Sequence, residues 1–388
     1  MKFRARWIFQ LALILCISLF MAGATLAAGP YAVGTSCIQI DTNKIASGRS
    51  LEDYLQGNWD GNQRFYVDQI LASPESSFLY QMAVPDDRSL YGDLAGTVMP
   101  MAAVILYPTA NSNNRPDYVF PDAAASFPHM QRPGEGPIFP DGSQRYPVLL
   151  ASHGYGGHPA SDAELINTMA LLASNGYIVV ALFHGDLRVP ETLGGAPFPY
   201  VQLTLRPLAL KVALDHLGAQ AQFADRTDWD RIGGIGGSFG GAAMLLLTGG
   251  RILDLNSFGT NLTTYDPRVK AAAGIVSYCG DDIVPLFGFD TSGAESIAAP
   301  QIIIGGSEDD VAPVWRQRDA LRHAPVRSYL VTLQGQGHLF SAEGFNDAAI
   351  WALDFLDAFV KGDGEARNRL DARREVPGGP ADSVEHFN

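Results

Sequence analysis

From Pro147 onward the chain repeats one pattern: a short apolar run, a polar or glycine-rich break, then a segment of helical spacing. The runs are Val148-Leu149-Leu150-Ala151, Tyr177-Ile178-Val179-Val180-Ala181-Leu182, the stretch opening at Ile232, Val269 to Tyr278, Gln301-Ile302-Ile303-Ile304, and Ser328 to Leu333. Helical spacing falls at about residues 161–174, 201–217, 242–247, 313–322 and 346–360. Strands that are apolar throughout, rather than alternating, have to be covered on both faces. Helices between them supply that cover through βαβ crossovers. The pattern predicts an α/β fold with a mostly parallel central sheet and helices on both faces. Met101-Ala102-Ala103-Val104-Ile105-Leu106-Tyr107 adds one strand ahead of it.

Around this core the remaining segments differ in character. Lys2, Arg4 and Arg6, the apolar run from Trp7 to Gly23, and Ala24-Thr25-Leu26-Ala27-Ala28 read as a signal peptide over 1–28. The alternative is a retained single-span anchor, for which the run is short. The expected location is secreted or periplasmic, with contact to a membrane only through that transient segment. Residues 29–361 then form one domain with an extension at 29–97 and a Pro/Gly/Asn-rich loop at 108–147, a candidate wall of a binding cleft. Residues 362–388 turn polar and read as a loose tail. The 388 residues carry a net charge of −14, which argues against nucleic acid or an anionic membrane surface as partner. Of three Cys, Cys16 lies in the signal, while Cys37 and Cys279 are either paired or free. No Cys cluster or His-x-x-x-His spacing suggests a metal site.

Gly236-Gly237-Ser238-Phe239-Gly240 fits G-x-S-x-G, a strand-to-helix turn on which a nucleophilic serine is held strained and exposed. The bland alternative is a tight glycine turn before a core helix. A serine hydroxyl needs a base to take its proton, and His338, in Gly335-Gln336-Gly337-His338 after the last strand run, is the natural one. A carboxylate should orient that imidazole. Asp309 follows the preceding strand run and completes the order Ser…Asp…His; Asp310, Glu308, Asp281 and Asp282 are rivals for the role. Alone, Asp309 would read as a helix cap and His338 as a loop histidine. An acyl-transfer site also needs two N–H donors for the oxyanion. Phe239 N–H, directly after the serine, and Tyr155 N–H, in Ser152-His153-Gly154-Tyr155-Gly156-Gly157, are the candidates. His153 reads as a prop for that loop, and His158 and His184 lie near the sheet edge without a pattern of their own. The glycine cluster lacks the Gly-Lys-Ser/Thr of a phosphate loop and has Phe239 where a dinucleotide fingerprint needs Gly, so no cofactor is expected.

Over roughly Met101 to Val360 the chain resembles an α/β-hydrolase. Ser152-His153-Gly154-Tyr155-Gly156-Gly157, Ser238-Phe239-Gly240-Gly241 and Ala173-Ser174-Asn175-Gly176-Tyr177 resemble platelet-activating-factor acetylhydrolases and dienelactone-hydrolase-like esterases. Glu308-Asp309-Asp310-Val311-Ala312-Pro313 is similar to the acid loop of bacterial cutinases and polyester hydrolases, which implies Asp309 as the acid and a Tyr amide at the oxyanion. Gly237 stands where many relatives have His, and Ser238 where true dienelactone hydrolases have Cys. The resemblance implies an exported serine carboxylic ester hydrolase that needs no metal or cofactor. Short intervals after the strands leave no room for a large helical lid, favouring an accessible cleft for short-chain, lipid or polyester esters. Alternatives are a peptidase or acyltransferase on the same fold, or an inactive cell-envelope binding protein.

Overall fold

Each apolar run becomes a strand of one ten-stranded sheet. The computed structural model describes residues 28–36, 78–119, 126–131, 135–159, 163–184, 192–193, 196–253, 264–281 and 285–388. Residues 1–27 of the expected signal peptide, the weak helical spacing that the sequence also shows at 50–55 and 63–71, Cys37 and Asp282 lie outside the described residues. The strands are β1 (Ala32–Ser36), β2 (Phe78–Ala83), β3 (Val98–Thr109), β4 (Tyr146–Ser152), β5 (Ile178–Phe183), β6 (Thr227–Gly237), β7 (Val269–Ile275), β8 (Gln301–Gly306), β9 (Ser328–Leu333) and β10 (Asp382–Phe387). Their order is β1–β3–β5–β4–β6–β7–β8–β9–β10, with β2 also on β3. From β5 to β9 every neighbouring pair is parallel, while β3 and β10 run antiparallel to the block they flank. Strands β2 and β1 lie end to end on the outer edge of β3, against Val98–Ala103 and Ile105–Thr109 respectively.

Six longer helices cover the sheet: α1 (Ala163–Ser174), α2 (Phe198–Ala219), α3 (Phe239–Leu247), α4 (Val314–His323), α5 (Ala342–Leu356) and α6 (Gly364–Ala372). Successive strand residues point to opposite faces. Leu149, Ala151, Val179, Ala181, Ile302 and Ile304 therefore join the core with α1, α5 and α6. Val148, Leu150, Ile178 and Val180 pack with α2 and α3, and Ile303 and Leu330 with α4 on that same side. Every residue of β4, β5, β8 and β9 is buried. Burial contributes roughly 1.5–3 kcal/mol per large apolar side chain. That is why these strands show no polar alternation. The protein is α/β with a mostly parallel mixed sheet and helices on both faces.

Two expectations need correction. Residues 362–388 do not form a loose tail. Asp363 caps α6 through Glu365 N–H and Ala366 N–H, Leu370 is buried against the core, and β10 pairs with all of β9 from Ser328↔Phe387 to Leu333↔Asp382. Arg318 reaches Glu385 at 2.7 Å, and Trp351 Nε1 donates to Asp382 Oδ2 at 3.0 Å. The segment reads as polar because it is an edge strand, half in solvent, whose charges also discourage edge pairing with another chain. The 108–147 loop, likewise, contributes none of its described residues to the wall of the site. It leaves the end of β3 and enters the start of β4, so antiparallel β3 delivers it to the amino-terminal edge of the parallel strands. There Phe127 and Met130 are buried, Arg115 pairs with Glu135 at 2.8 Å, and Phe139 packs on Tyr107 with ring centroids 4.9 Å apart.

Boundaries moved where local chemistry outweighed pattern. Helix α5 starts before 346 because Ser341 accepts from Gly344 N–H at 3.2 Å. It continues past Leu356 as a wider turn over Asp357–Lys361, ending at Gly362 in a left-handed conformation. Cys279 is a free thiol in the core, and burial pushes its pKa up to about 12. Among the described residues no helix is long and apolar enough to cross a membrane.

Candidate active site

Strand β6 ends at Gly237 and α3 begins at Phe239, leaving Ser238 alone at the corner with φ 52° and ψ −115°. A positive φ is costly for a residue with a side chain and survives only where neighbours impose it. Here they do. Ser238 N–H donates to Ile275 O at 2.9 Å, and Ser238 O accepts from Ala242 N–H at 3.1 Å and Tyr278 N–H at 3.0 Å. The flanking glycines let the helix close onto the strands. A Cβ on Gly236 would come within 2.3 Å of the Gly240 carbonyl, and one on Gly240 within 1.9 Å of Ser152 O. At Gly237 a Cβ would meet nothing within 4 Å, so this position is glycine without a steric demand.

His338, in the loop after β9, places Nε2 3.1 Å from Ser238 Oγ. Its Nδ1 faces Asp309, 3.0 Å from Oδ1 and 2.9 Å from Oδ2. The consistent tautomer carries the proton on Nδ1, donating to the carboxylate, and leaves Nε2 to accept from the serine hydroxyl. Asp309 Oδ1 also accepts from Val311 N–H at 2.9 Å and Ala312 N–H at 2.8 Å. The turn-capping role open to a lone Asp and the role of orienting the imidazole thus coincide in one side chain. These donors hold its charge in a position closed to solvent. Among the rivals, Glu308 and Asp310 are exposed, and Asp281 accepts from Tyr278 Oη at 3.0 Å.

The loop after β4 comes up beside the elbow, close enough that a Cβ on Gly154 would lie 3.6 Å from that of Ser238. Tyr155 and Phe239 stand together at the site, ring centroids 5.6 Å apart. Phe239 N–H opens α3 and is one of the donors that a helix start leaves without an intrahelical partner. His153 props the loop: its Nδ1 donates to Gly154 O at 2.7 Å, and its Nε2 accepts from His184 N–H at 3.3 Å. Ser152 Oγ and His184 Nε2 are hydrogen-bonded at 2.8 Å. His158 is stacked against Phe183, and burial lowers its pKa to about 4, so it is neutral at physiological pH.

The sequence reading missed Arg206. It is 0% exposed, on the face of α2 that meets this loop, and its guanidinium donates to both His153 O and Gly154 O, the latter at 3.1 Å. Its Cζ lies 5.7 Å from the centroid of the Phe239 ring. The available signal was a single Arg in the mostly apolar stretch Val201–Leu210 of α2, a pattern that usually marks a charge reaching out to solvent.

Ser238 and His338 open into a cavity of about 630 Å³. At its mouth stand Tyr155, Val311 and Leu339; within it are Met169 and Leu172 of α1, and Ile235 and Ile275 at strand ends. None of the described residues of the 108–147 loop lines it. No protein-family model matches this sequence, and no curated protein matches it either.

Proposed function

We propose that the chain is a serine carboxylic ester hydrolase with the α/β-hydrolase fold, exported from the cytoplasm. The observation that carries the reading is the unbroken relay Ser238 Oγ, His338 Nε2, His338 Nδ1 and Asp309, with Ser238 on a strained corner above an apolar cavity. In support of the fold, the strand order reverses between β4 and β5, the elbow follows the next strand, β6, and acid and base follow β8 and β9. Export rests on the residue pattern of 1–28.

Ser238 Oγ attacks the ester carbonyl carbon as its proton passes to His338 Nε2. The carbonyl oxygen, now an anion, lies toward Phe239 N–H and Tyr155 N–H. Collapse breaks the bond to the alcohol oxygen, which takes the proton from Nε2 and leaves. Water then gives a proton to Nε2 and adds to the acyl-enzyme; the second collapse releases the acid and returns the proton to Ser238 Oγ. Asp309 stays ionised and steadies the imidazolium.

A small fluorophosphonate should label wild type at Ser238, and Ser238→Ala should lose ester hydrolysis by about 10⁴-fold or more. Unlabelled folded protein with undiminished hydrolysis in the variant would sink the reading. Peptide cleavage or transfer to an added alcohol exceeding hydrolysis would move it to another reaction on the same triad.

A further inference from the structure

The cavity has two unlike ends. At one stand His338, Val311 and Leu339, of which the last two are 52% and 85% exposed. At the other stand Met169 and Leu172, 1% and 0% exposed, over Ala151 and Ala181. The leaving alcohol has to depart past His338, which hands it a proton, so it occupies the open end. The acyl group, tethered to Ser238 Oγ, is left with the closed end.

That closed end exists for a reason visible in the register. Ala151 and Ala181 are side by side on β4 and β5, where the preceding residues of the same face, Leu149 and Val179, are large. Two small side chains under α1 leave a gap between helix and sheet. Its roof is Leu165, Thr168, Met169 and Leu172, spaced i, i+3, i+4 and i+7 along one face of α1. Seven residues of helix rise roughly 10 Å. An extended chain advances roughly 1.2 Å per bond, so that length takes about eight bonds. No Lys or Arg is among the described lining residues, and the one carboxylate there, Asp281, accepts from Tyr278 Oη at 3.0 Å on the loop after β7 rather than lying under α1. The interior therefore disfavours a charged or strongly polar chain end.

We infer that this pocket binds a medium-chain, unbranched acyl group of about eight carbons, between α1 and the ends of β4 and β5. The inference rests on the esterase reading and narrows its substrate class. Ala181→Leu fills the floor, and Met169→Ala enlarges the closed end beneath α1.

The test is kcat/KM for p-nitrophenyl acetate, octanoate and palmitate on wild type and both variants, with fluorophosphonate labelling of Ser238 in each. Wild type should prefer octanoate over acetate and palmitate. The octanoate-to-acetate ratio should fall at least tenfold in Ala181→Leu, and the palmitate-to-octanoate ratio should rise in Met169→Ala. Labelled, active variants with wild-type ratios would overturn the pocket and leave the esterase reading standing. A wild type that neither labels nor hydrolyses any of the three esters would overturn both.

Discussion

Arg206 shows how far one side chain can act from the reacting atoms. Burying a guanidinium costs several kcal/mol unless its donors are satisfied, and two of the carbonyls that satisfy it belong to His153 and Gly154. Those carbonyls immediately precede Tyr155, so Arg206 sets where the Tyr155 N–H points. On the esterase reading it is a positioning residue. Arg206→Met should lower kcat by about 10²-fold while KM changes little, because the lost alignment matters most when the oxyanion forms. Arg206→Lys should recover part of the loss. Steady-state kinetics, with a boronic acid weakened in step with kcat, separates this from general destabilisation, which would lower the amount of active enzyme at unchanged KM and unchanged inhibitor affinity. Ser238 presents the opposite case, since its φ of 52° is held by contacts from β7, α3 and the loop beyond β7, and none of them is adjacent in sequence on the strand side.

At the scale of elements, the C-terminal segment is stitched to α5 through acids. Asp382 accepts from Trp351 Nε1 and Val376 N–H, both at 3.0 Å, while Asp347 is buried against Gly379. Burial, with the nearby Asp382 carboxylate adding to it, raises Asp347 to about 7. A carboxyl raised in the folded state binds its proton more tightly there than in the unfolded chain. Its contribution is therefore most favourable below the unfolded value of 3.8 and is lost as pH rises toward 7. Asp347→Asn should match wild type in thermal unfolding at pH 4 and exceed it by several degrees at pH 8. Equal midpoints at both values would contradict the shared burial of these acids. Composition alone could not reveal this packing, because an edge strand such as Asp382–Phe387 looks polar whether it is paired or loose.

For the whole molecule, topology decides which edge of the sheet each loop reaches. Parallel strands β6, β8 and β9 all end on the same edge, which brings Ser238, Asp309 and His338 together although they are far apart in the chain. Antiparallel β3 sends the 108–147 loop to the other edge. Phe139 there packs on Tyr107, Tyr146 and Phe223, with Arg226 above its ring. Phe139→Ala should cost on the order of 2 kcal/mol of stability. It should leave the ratio of octanoyl to acetyl hydrolysis at its wild-type value; a shift in that ratio would tie the loop to the substrate after all.

The sequence by itself determined the α/β class, because uniformly apolar strands admit few other burials, and it put forward Ser238, His338 and Asp309 as nucleophile, base and acid by residue type and order. It preferred Asp309 to Asp281 and Asp310, but that Asp309 is the carboxylate meeting His338 Nδ1 depends on how β8 and β9 align. Arg206 stayed hidden because a helix face shows its partner only once α2 packs on the loop. The pocket stayed hidden for a similar reason: Ala151 and Ala181 are unremarkable until register sets them side by side under α1. Local pattern records what each residue can do along the chain, and the tertiary structure decided which of them meet.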